Sequence, residues 1–311
     1  MDRAGKVNNV KKGEIVIFCD EIGWHTAELQ NGLNLSGIKT RILNLSSIDV
    51  FIDCAKDNFI LRNFNMSPSC CFVRGIAGGS LEQITRRLAI LHQLEFLGIP
   101  IVNSGRGIEH SVDKCMTSFL LRMQDIPTPD CWVLEDKATG ITLINRLLDE
   151  GRKLVIKPIF GSQGANVTLI EEKIKNEKDF EKMINFANGV YYIQEFVEPV
   201  GSSLRDFRVF VVHDEVVAAM ERKGQGWVHN VAKGGACRQI IPDNFLKKLA
   251  IQSTRTVGLE IGGVDIIEDK RSELGYTVLE VNGVPAWKGL QNVSNVNISE
   301  KIIKFMISKM R

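Results

Sequence analysis

Several features that would assign this chain to a familiar class are missing from its sequence. The 311 residues carry 39 Lys and Arg against 37 Asp and Glu, so there is no basic excess of the kind that nucleic-acid-binding proteins show. No apolar run approaches the roughly 18 residues that cross a bilayer. The apolar run after the polar segment 1–12 is too short for a secretory signal, so this segment is predicted to be a flexible tail. These absences favour a cytoplasmic protein with no nucleic-acid or membrane partner.

The cysteine and histidine patterns predict neither a disulfide framework nor a metal bound by these residues. The seven cysteines are odd in number, form no Cys-x-x-Cys pair and often lie in apolar runs. Buried free thiols in a reducing compartment explain this pattern. The five histidines show no ligand spacing, so we expect no zinc site. No convincing Ser-His-Asp or Cys-His set is present.

The first third of the chain alternates between apolar runs and amphipathic segments. A helix is predicted at 24–35, and a second begins at Ser80, with Gln83 at the capping-box position, and ends at Gly98. Strands are predicted at 14–19, 39–43, 70–74 and 100–103. Such alternation is typical of an α/β domain with a parallel sheet.

The rest of the chain no longer shows this regular alternation of strands and helices. A helix is predicted from near Ser111 to Met123, before Pro127. Two later runs separated by a short polar turn predict an antiparallel hairpin at 208–213 and 215–220. Further helices are predicted at 243–257 and 298–310, and further strands at 262–268 and 276–281.

Oxygen-bearing side chains fall on two neighbouring strand runs near the carboxyl end. Glu280 and Asn282 are two residues apart on one strand and therefore point to the same face, and Asp265 lies on the preceding strand. Mg²⁺ prefers such oxygen ligands together with nucleotide phosphates. Acidic residues at strand ends are also explained by solvation alone, although apolar flanks argue for a partner.

Two lysines occupy unusual positions. Lys157 ends a buried strand and precedes the loop from Gly161 to Gly164, whose backbone N–H groups can face phosphates. Lys114 opens a helix, where a cation is disfavoured by the helix dipole unless a ligand is present. A common Gly-Ser turn and a surface lysine are the ordinary alternatives.

A strand at 191–197 runs into a polar linker and could present backbone groups to a flat base. Beyond it, Arg208 heads one strand and Arg222 ends the next. Two arginines at facing strand ends can clamp a phosphoryl group, and unpaired surface arginines are the alternative.

Taken in order, these motifs resemble the RimK-like branch of the ATP-grasp ligases over roughly residues 70–300. The matching segments are 113–129, 155–164 (VIKPIFGSQG), 194–197 (QEFV), 206–212 (DFRVFVV), 222–235, 263–265 (GVD) and 280–282 (EVN). Segments 79–83, 91–95 and 281–291 resemble a subgroup associated with one-carbon pterin or furan cofactors.

The resemblance implies a fold and a set of roles. It implies a Rossmann-like pre-ATP-grasp domain at 13–110, a central lid subdomain at 111–200 and a catalytic antiparallel subdomain at 201–311. Phosphate contacts are implied for Lys114, Lys157, Gly161, Ser162 and Gly164. Adenine and ribose contacts are implied for Gln194, Glu195, Phe196, Val197 and Asp206. The metal ligands would be Asp265, Glu280 and Asn282. The groups steadying the γ-phosphate and the acyl phosphate would be Arg208, Arg222 and Asn230.

The implied activity is an ATP-dependent ligation of a carboxylate to an amine through an acyl phosphate, with ATP and two Mg²⁺ (or Mn²⁺) ions as cofactors. L-Glutamate would be added to a small cofactor-like or peptide acceptor, and Arg74 would contact a substrate carboxylate or form a structural salt bridge. Relatives imply a dimer or tetramer. An ATP-grasp ligase for another amino acid such as D-alanine, and a nucleotide-binding regulatory protein without catalysis, are the alternatives.

Overall fold

The computed structural model describes residues 13–53, 58–64, 68–161, 166–184, 188–200, 205–224 and 236–311. These residues form two compact units. Unit 1 comprises the described residues up to Gly105 together with Ala286–Lys288 and Asn297–Arg311, and unit 2 comprises those of Arg106–Pro285 and Gly289–Val296. Along the described residues, no helix combines the length and the hydropathy that crossing a bilayer requires.

Unit 1 is built on a parallel sheet in the order β2-β1-β5-β6. Its strands are β1 (Glu14–Phe18), β2 (Lys39–Leu43), β5 (Cys70–Val73) and β6 (Ile101–Val102), and an antiparallel hairpin of β3 (Asp49–Asp53) and β4 (Asn58–Arg62) lies outside that sheet. Its helices are α1 (Trp24–Leu35), α2 (Leu81–Phe96) and α9 (Ile298–Lys309). The predicted α/β class is confirmed for this unit.

Local signals explain the first elements well. Every residue of β1 is buried, as the apolar run from Ile15 to Phe18 predicts for a strand covered on both faces. The predicted capping box at the start of α2 is present, because Ser80 accepts from the N–H of Gln83 while the Gln83 side chain accepts from the N–H of Ser80. After α2, Gly98 takes a φ of +78°, a left-handed conformation that favours glycine.

The last helix belongs to unit 1, although the predicted range 201–311 places it with the catalytic subdomain. Helix α9 packs on α1, and a Cβ added to Gly32 would stand 2.3 Å from the Cδ1 atom of Ile303. The close approach requires a glycine on α1. Nothing local in the sequence of α9 signals this long-range packing, and the three-part division of the chain stays a prediction.

Unit 2 contains two antiparallel sheets. The first, in the order β7-β10-β8-β9, consists of β7 (Cys131–Leu134), β8 (Leu154–Lys157), β9 (Thr168–Ile170) and β10 (Tyr191–Glu195). The helices before and between these strands are α3 (Gly105–Val112), α4 (Lys114–Met123), α5 (Lys137–Asp149) and α6 (Glu177–Met183). Helices α5 and α6 cover the sheet through a core that includes Ile144 and Phe180.

The second sheet, in the order β13-β12-β11-β14-β15, carries the predicted metal ligands. Its strands are β11 (Arg205–Val212), β12 (Glu215–Lys223), β13 (Ala236–Gln239), β14 (Ile261–Glu268) and β15 (Tyr276–Asn282). Helix α7 (Asn244–Val257) packs on one face of the sheet through a core that includes Val209 and Val264. A short helix, α8 (Lys288–Gln291), follows β15.

The helix predicted from Ser111 to Met123 is two helices. Helix α3 ends at Val112, and Asp113 caps α4 by accepting from the N–H groups of Cys115 and Met116 at 2.8 and 3.0 Å. Aspartate competes for backbone donors and so starts helices more readily than it continues them. The break makes Lys114 the first residue of α4.

Candidate functional site

The register of three strands places a row of charged side chains on one face of the second sheet. Arg208 on β11 lies opposite Asp265 on β14, and Asp265 lies opposite Glu280 on β15. Their neighbours Phe207 and Val264 face the hydrophobic core on the other side. The sheet therefore buries its apolar face and gathers one basic and two acidic groups on the opposite face.

A β-bulge sets the alignment of the two acidic groups. The pairing shifts after Asp265, because Ile266 pairs with Val278 and not with Leu279. The extra residue on β15 lets Glu280 stay opposite Asp265 while Val278 returns to the core.

Arg208 and Arg222 are held by carboxylates. Arg208 donates from Nη2 to Oδ2 of Asp265 at 2.8 Å, and its Nε lies 2.5 Å from Oδ1. Arg222, only 3% exposed, donates from Nε and Nη2 to the two oxygens of Asp206 at 2.6 and 2.9 Å. Its Nη2 also lies 3.0 Å from Oδ1 of Asp265. Burial alone would lower the pKa of Arg222, but the two carboxylates outweigh it and raise that pKa.

This network bears on two predicted roles. Both oxygens of Asp206 accept from Arg222, so the structure gives Asp206 an ion-pair partner, and its ribose contact stays a prediction. Arg222 is likewise engaged by two carboxylates, which supports a role in positioning them. Its contact with phosphate stays a prediction as well.

Gly263 makes room for this arrangement. A Cβ at Gly263 would stand 2.7 Å from Nη1 of Arg208 and 2.9 Å from Cβ of Pro285. Asn282, paired across from Gly263, donates from Nδ2 to the Gly263 carbonyl at 3.2 Å and keeps Oδ1 as an acceptor. The glycine of the Gly-Val-Asp motif is thus explained by the space that the Arg208 guanidinium occupies.

Glu280, the other acidic group on this face, lies opposite Asp265. Burial and then the charge of Asp265 raise its pKa, against the opposing effect of Lys114, Arg208 and Lys157. Within the described part of the chain, its carboxylate accepts no hydrogen bond. A bound cation would stabilise the ionised form of this carboxylate.

The residues present therefore fit a hard divalent cation. Asp265, Glu280 and Asn282 lie on two adjacent strands and offer two carboxylates and an amide oxygen. A carboxylate has about four lone-pair sites, so the arginine contacts of Asp265 leave it able to bind a metal. No cluster of three or more His, Cys, Asp or Glu side chains with metal-site geometry occurs among the residues described.

Lys157, at the end of β8, belongs to the same electrostatic field. Its Nζ donates to Oε1 of Gln194 at 2.7 Å, and Gln194 in turn donates to the hydroxyl of Tyr192 at 3.0 Å. Burial lowers the pKa of Lys157 to about 8, with Lys114 adding to the shift and Glu280 opposing it. The side chain of Gln194 thus orients the ammonium group.

Lys114 completes the set from the start of α4. Its Nζ donates to the carbonyl oxygen of Gly161 at 3.0 Å, at the beginning of the predicted phosphate loop. Burial lowers its pKa, while Glu280 and Asp113 oppose that shift. The helix start therefore brings a cation to this loop, and the contact of Lys114 with phosphate stays a prediction.

The strand end predicted to read adenine has its own partners. The N–H groups of Glu195 and Phe196 donate to the carbonyl oxygens of Asp130 and Lys153 at 2.9 and 2.8 Å, so these two donors are used. The Glu195 carboxylate accepts from Nη1 of Arg271 at 2.5 Å. Val197 is buried.

Three predicted residues cannot be placed, because Ser162, Gly164 and Asn230 lie outside the described residues. Sequence reasoning missed Tyr192, which links Gln194 to Ser118 through a 2.9 Å hydrogen bond between hydroxyls, and it missed Arg271. No motif marks Arg271, which follows β14 in a polar turn. Tyr192 lies in an apolar run with strong β-propensity, so the sequence predicts a core residue there and not a hydroxyl that forms hydrogen bonds.

With this geometry in place, the class of the protein is defined: the chain belongs to the RimK-like ATP-grasp family, whose domain matches residues 111–306. The predicted fold and family are confirmed, and the chain is an ATP-dependent carboxylate–amine ligase.

The chain is similar to several proteins of known name. The chain is 37% identical to a tetrahydromethanopterin:alpha-L-glutamate ligase of Methanocaldococcus jannaschii, over 79% of this chain and 81% of the relative. It is 30% identical to the alpha-aminoadipate–LysW ligase LysX of Saccharolobus solfataricus, over 89% and 92% of the two chains. Among solved structures, the ATP-grasp ligase PsnB complexed with a phosphomimetic variant of its minimal precursor, Mg and ADP is similar in fold. Its TM-score is 0.75 at 19% identity, covering 96% of this chain and 98% of that one.

Proposed function

We propose that this chain adds L-glutamate to the carboxylate of a small, cofactor-like acceptor of the reduced-pterin class, at the expense of ATP. One observation carries the proposal: Asp265 lies opposite Glu280, and the charges of Asp265, Lys114 and Lys157 all act on the pKa of Glu280, although the four residues come from α4, β8, β14 and β15. These two lysines and two carboxylates suit a nucleotide bound with magnesium, because the lysines can hold the phosphates and the carboxylates can hold the ion.

The proposed roles follow from these positions. Lys114 and Lys157 hold the phosphates, together with backbone N–H groups of the loop that begins at Gly161. Asp265, Glu280 and Asn282 hold two Mg²⁺ ions, which supply charge neutralisation when bound. Residues 194–197 read the adenine, and Arg208 steadies the phosphoryl group that is transferred.

The chemistry needs positioned groups and no side-chain nucleophile. An oxygen of the acceptor carboxylate attacks the γ-phosphorus, the bond to the β-phosphate oxygen breaks, and ADP leaves. The amine of glutamate then attacks the acyl carbon, the carbon–oxygen bond to phosphate breaks, and inorganic phosphate leaves with one carboxylate oxygen. Holding both partners in place and excluding water account for most of the rate.

The acceptor class is supported by the named relatives that ligate glutamate to tetrahydromethanopterin. The second candidate acceptor is a protein or peptide, because LysX is similar over nearly the whole chain and its name includes the protein LysW. The ranges 13–110, 111–200 and 201–311 remain proposals for the subdomains, although residues 286–288 and 297–311 belong to unit 1. A homo-oligomer, a dimer or tetramer, stays a prediction that light scattering tests.

Mass spectrometry of the products tests the proposal. The chain is incubated with ATP, Mg²⁺, L-glutamate and an acceptor panel of tetrahydromethanopterin, tetrahydrofolate and short peptides ending in glutamate. We expect a pterin product heavier by one glutamyl residue, with one ADP formed per bond. Glutamylation of peptides alone would favour the second candidate. ADP release with D-alanine and none with glutamate would contradict the proposal.

A further inference from the structure

The carboxyl edge of the sheet in unit 1 brings two loops together. The chain leaves β1 towards β2 on one side and leaves β5 towards β6 on the other, so the winding direction reverses between β1 and β5. In open parallel sheets, ligands bind in the crevice at such a reversal, outside the carboxyl ends of the strands. The segments that border it here are 19–23 and 74–80.

The second of these segments is held rigidly. The N–H of Arg74 donates to the carbonyl of Phe18, the last residue of β1, at 2.7 Å. At the other end, the buried Arg87 side chain donates from Nη1 to the carbonyl oxygens of Ala77 and Gly78 at 2.5 and 2.9 Å. A segment fixed at both ends suits a binding site, since its side chains lose little freedom when a ligand binds.

His25 holds the chain after β15 against the start of α1. Its Nε2 accepts from the N–H groups of Trp287 and Lys288, both at 3.1 Å. Trp287 is 1% exposed, and its Nε1–H donates to Ser299 at 3.0 Å. A ring nitrogen that accepts hydrogen bonds carries no proton, and burial lowers the pKa of His25 to about 4, with Arg74 and Lys288 adding to the shift.

Two cations therefore converge on one neutral imidazole. The guanidinium of Arg74 lies 5.3 Å from the ring centroid of Trp287, and the ammonium of Lys288 lies 5.9 Å from that of Trp24. The ring of His25 lies 4.5 Å from that of Trp287 and 5.1 Å from that of Trp24, so both cations lie near it. Burial lowers the pKa of Arg74 to about 10, and a nearby anion would stabilise its charged form.

We propose that Arg74 and Lys288 form an anion-binding site at this edge of unit 1, which takes a non-reacting carboxylate on the tail of the acceptor. The inference rests on the proposed function, since it places a further carboxylate on the acceptor that is named there. The planar fork of Arg74 matches a carboxylate, and Lys288 supplies a second charge. His25 is a positioning residue, because it holds the backbone of Lys288.

Isothermal titration calorimetry on the full chain without ATP tests the site directly. The probe is folate, a pterin that carries a glutamyl dicarboxylate tail. We expect Arg74→Gln and Lys288→Gln each to weaken folate binding about tenfold or more. The matched control is Lys309→Gln, because Lys309 also lies over an aromatic ring of unit 1, at 5.3 Å from Phe305 on α9. That variant should bind folate as the unaltered chain does.

Two further probes identify the group that is recognised. N-benzoyl-L-glutamate keeps the dicarboxylate without the pterin, and its affinity should fall in both variants. Biopterin keeps the ring without a carboxylate, and its affinity should not change. Competition by inorganic phosphate as strong as that by N-benzoyl-L-glutamate would contradict selectivity for a carboxylate. Native folate affinity in Lys288→Gln, or no folate binding by the unaltered chain, would overturn the site.

The outcome also separates the site from the proposed function. Loss of folate binding in the two variants, without glutamyl transfer to any acceptor, would sustain the anion site and refute the proposed function. Glutamyl transfer with an unchanged KM for the acceptor in Lys288→Gln would support the proposed function and refute the anion site. If the anion site and the proposed function are both correct, Lys288→Gln raises the KM for the acceptor about tenfold, and its KM values for ATP and glutamate stay within about twofold of those of the unaltered chain.

Discussion

Asp265 and Glu280 lie directly opposite each other on β14 and β15, and two arginines contact the first while none of the described residues donates to the second. Two carboxylates side by side repel each other unless a positive charge lies between or beside them. Arg208 and Arg222 compensate Asp265. The negative charge of Glu280 is compensated by Lys114 and Lys157 and, we propose, by a divalent cation.

The first prediction follows from this asymmetry. Glu280→Gln should lower ATP turnover by at least about 10³-fold, a loss of about 4 kcal/mol in the transition state. Its free energy of unfolding should stay the same or rise, because one of two repelling charges is removed. Coupled assays of ADP release and urea denaturation measure the two effects. Glu273→Gln, at an exposed position of the β14–β15 turn, is the control. Near-normal turnover in Glu280→Gln would remove the metal assignment.

Lys157 should make ATP use dependent on pH. Its pKa of about 8 means that the ammonium loses its proton as pH rises through 8 in the free enzyme, where Lys114, Glu280 and Asp265 are the charged groups around it. The kcat/KM for ATP reports ionisation in the free enzyme, so it should fall above pH 8 by up to about tenfold per unit. Lys157→Arg stays charged and should lose this dependence. A profile that is flat to pH 10 in the unaltered chain contradicts the prediction.

Arg271 connects the turn after β14 to the strand end at Glu195. Its Nη1 lies 2.5 Å from Oε1 of Glu195, and Arg152 lies 3.6 Å from Oε2. Because residues 194–197 are proposed to read adenine, Arg271→Gln should raise the KM for ATP about two- to fivefold, which matches the ~0.5–1 kcal/mol of a partly exposed ion pair. Steady-state kinetics at two salt concentrations measure it.

The double variant makes this test specific. Combining Arg271→Gln with Glu195→Gln should raise the KM for ATP no further than either substitution alone. Lys137→Gln, which breaks the exposed pair with Glu181 in the same unit, should leave the KM for ATP unchanged. Additive effects of the two substitutions would show that the pair does not act as one.

His25 should contribute to stability in a pH-dependent way. His25→Ala leaves two backbone N–H groups without their acceptor, which should lower the free energy of unfolding at pH 7 by about 1–3 kcal/mol. The pKa of His25 is about 4 in the folded chain, against about 6.5 when unfolded, so the unfolded chain binds more protons between these values. The contribution is full above about pH 6.5 and is lost as pH falls towards 4.

Urea denaturation at pH 7 and pH 5 measures this effect. The difference between the unaltered chain and His25→Ala should be smaller at pH 5. His92→Ala is the control: protonation strengthens the pair of His92 with Glu95 on α2, so the effect of this substitution should not shrink at pH 5. An equal difference at both pH values would contradict the lowered pKa.

The sequence predicts those parts of the structure that short-range rules govern. Helix α1 runs from Trp24 to Leu35 as predicted, and Ser80 caps α2 with Gln83. Strand periodicity correctly brings Glu280 and Asn282 to one face. These predictions succeed because side-chain period and capping act over a few residues.

Other features depend on partners far apart in the chain. His25 accepts from Trp287, which is 262 residues away, and Arg271 meets Glu195 across 76 residues. Neither pairing produces a periodic pattern or a characteristic residue spacing in the sequence. The engagement of Asp206 by Arg222 is missed for a related reason, since charge alone does not tell an ion-pair partner from a ligand contact.

The central claim is that an acceptor carboxylate is activated as an acyl phosphate, and isotope transfer tests it most directly. The acceptor is prepared with ¹⁸O in its reacting carboxylate, and the inorganic phosphate formed with ATP, Mg²⁺ and L-glutamate is analysed by mass spectrometry. The account predicts one ¹⁸O atom in the phosphate for each amide bond formed. Amide formation with unlabelled phosphate would contradict it.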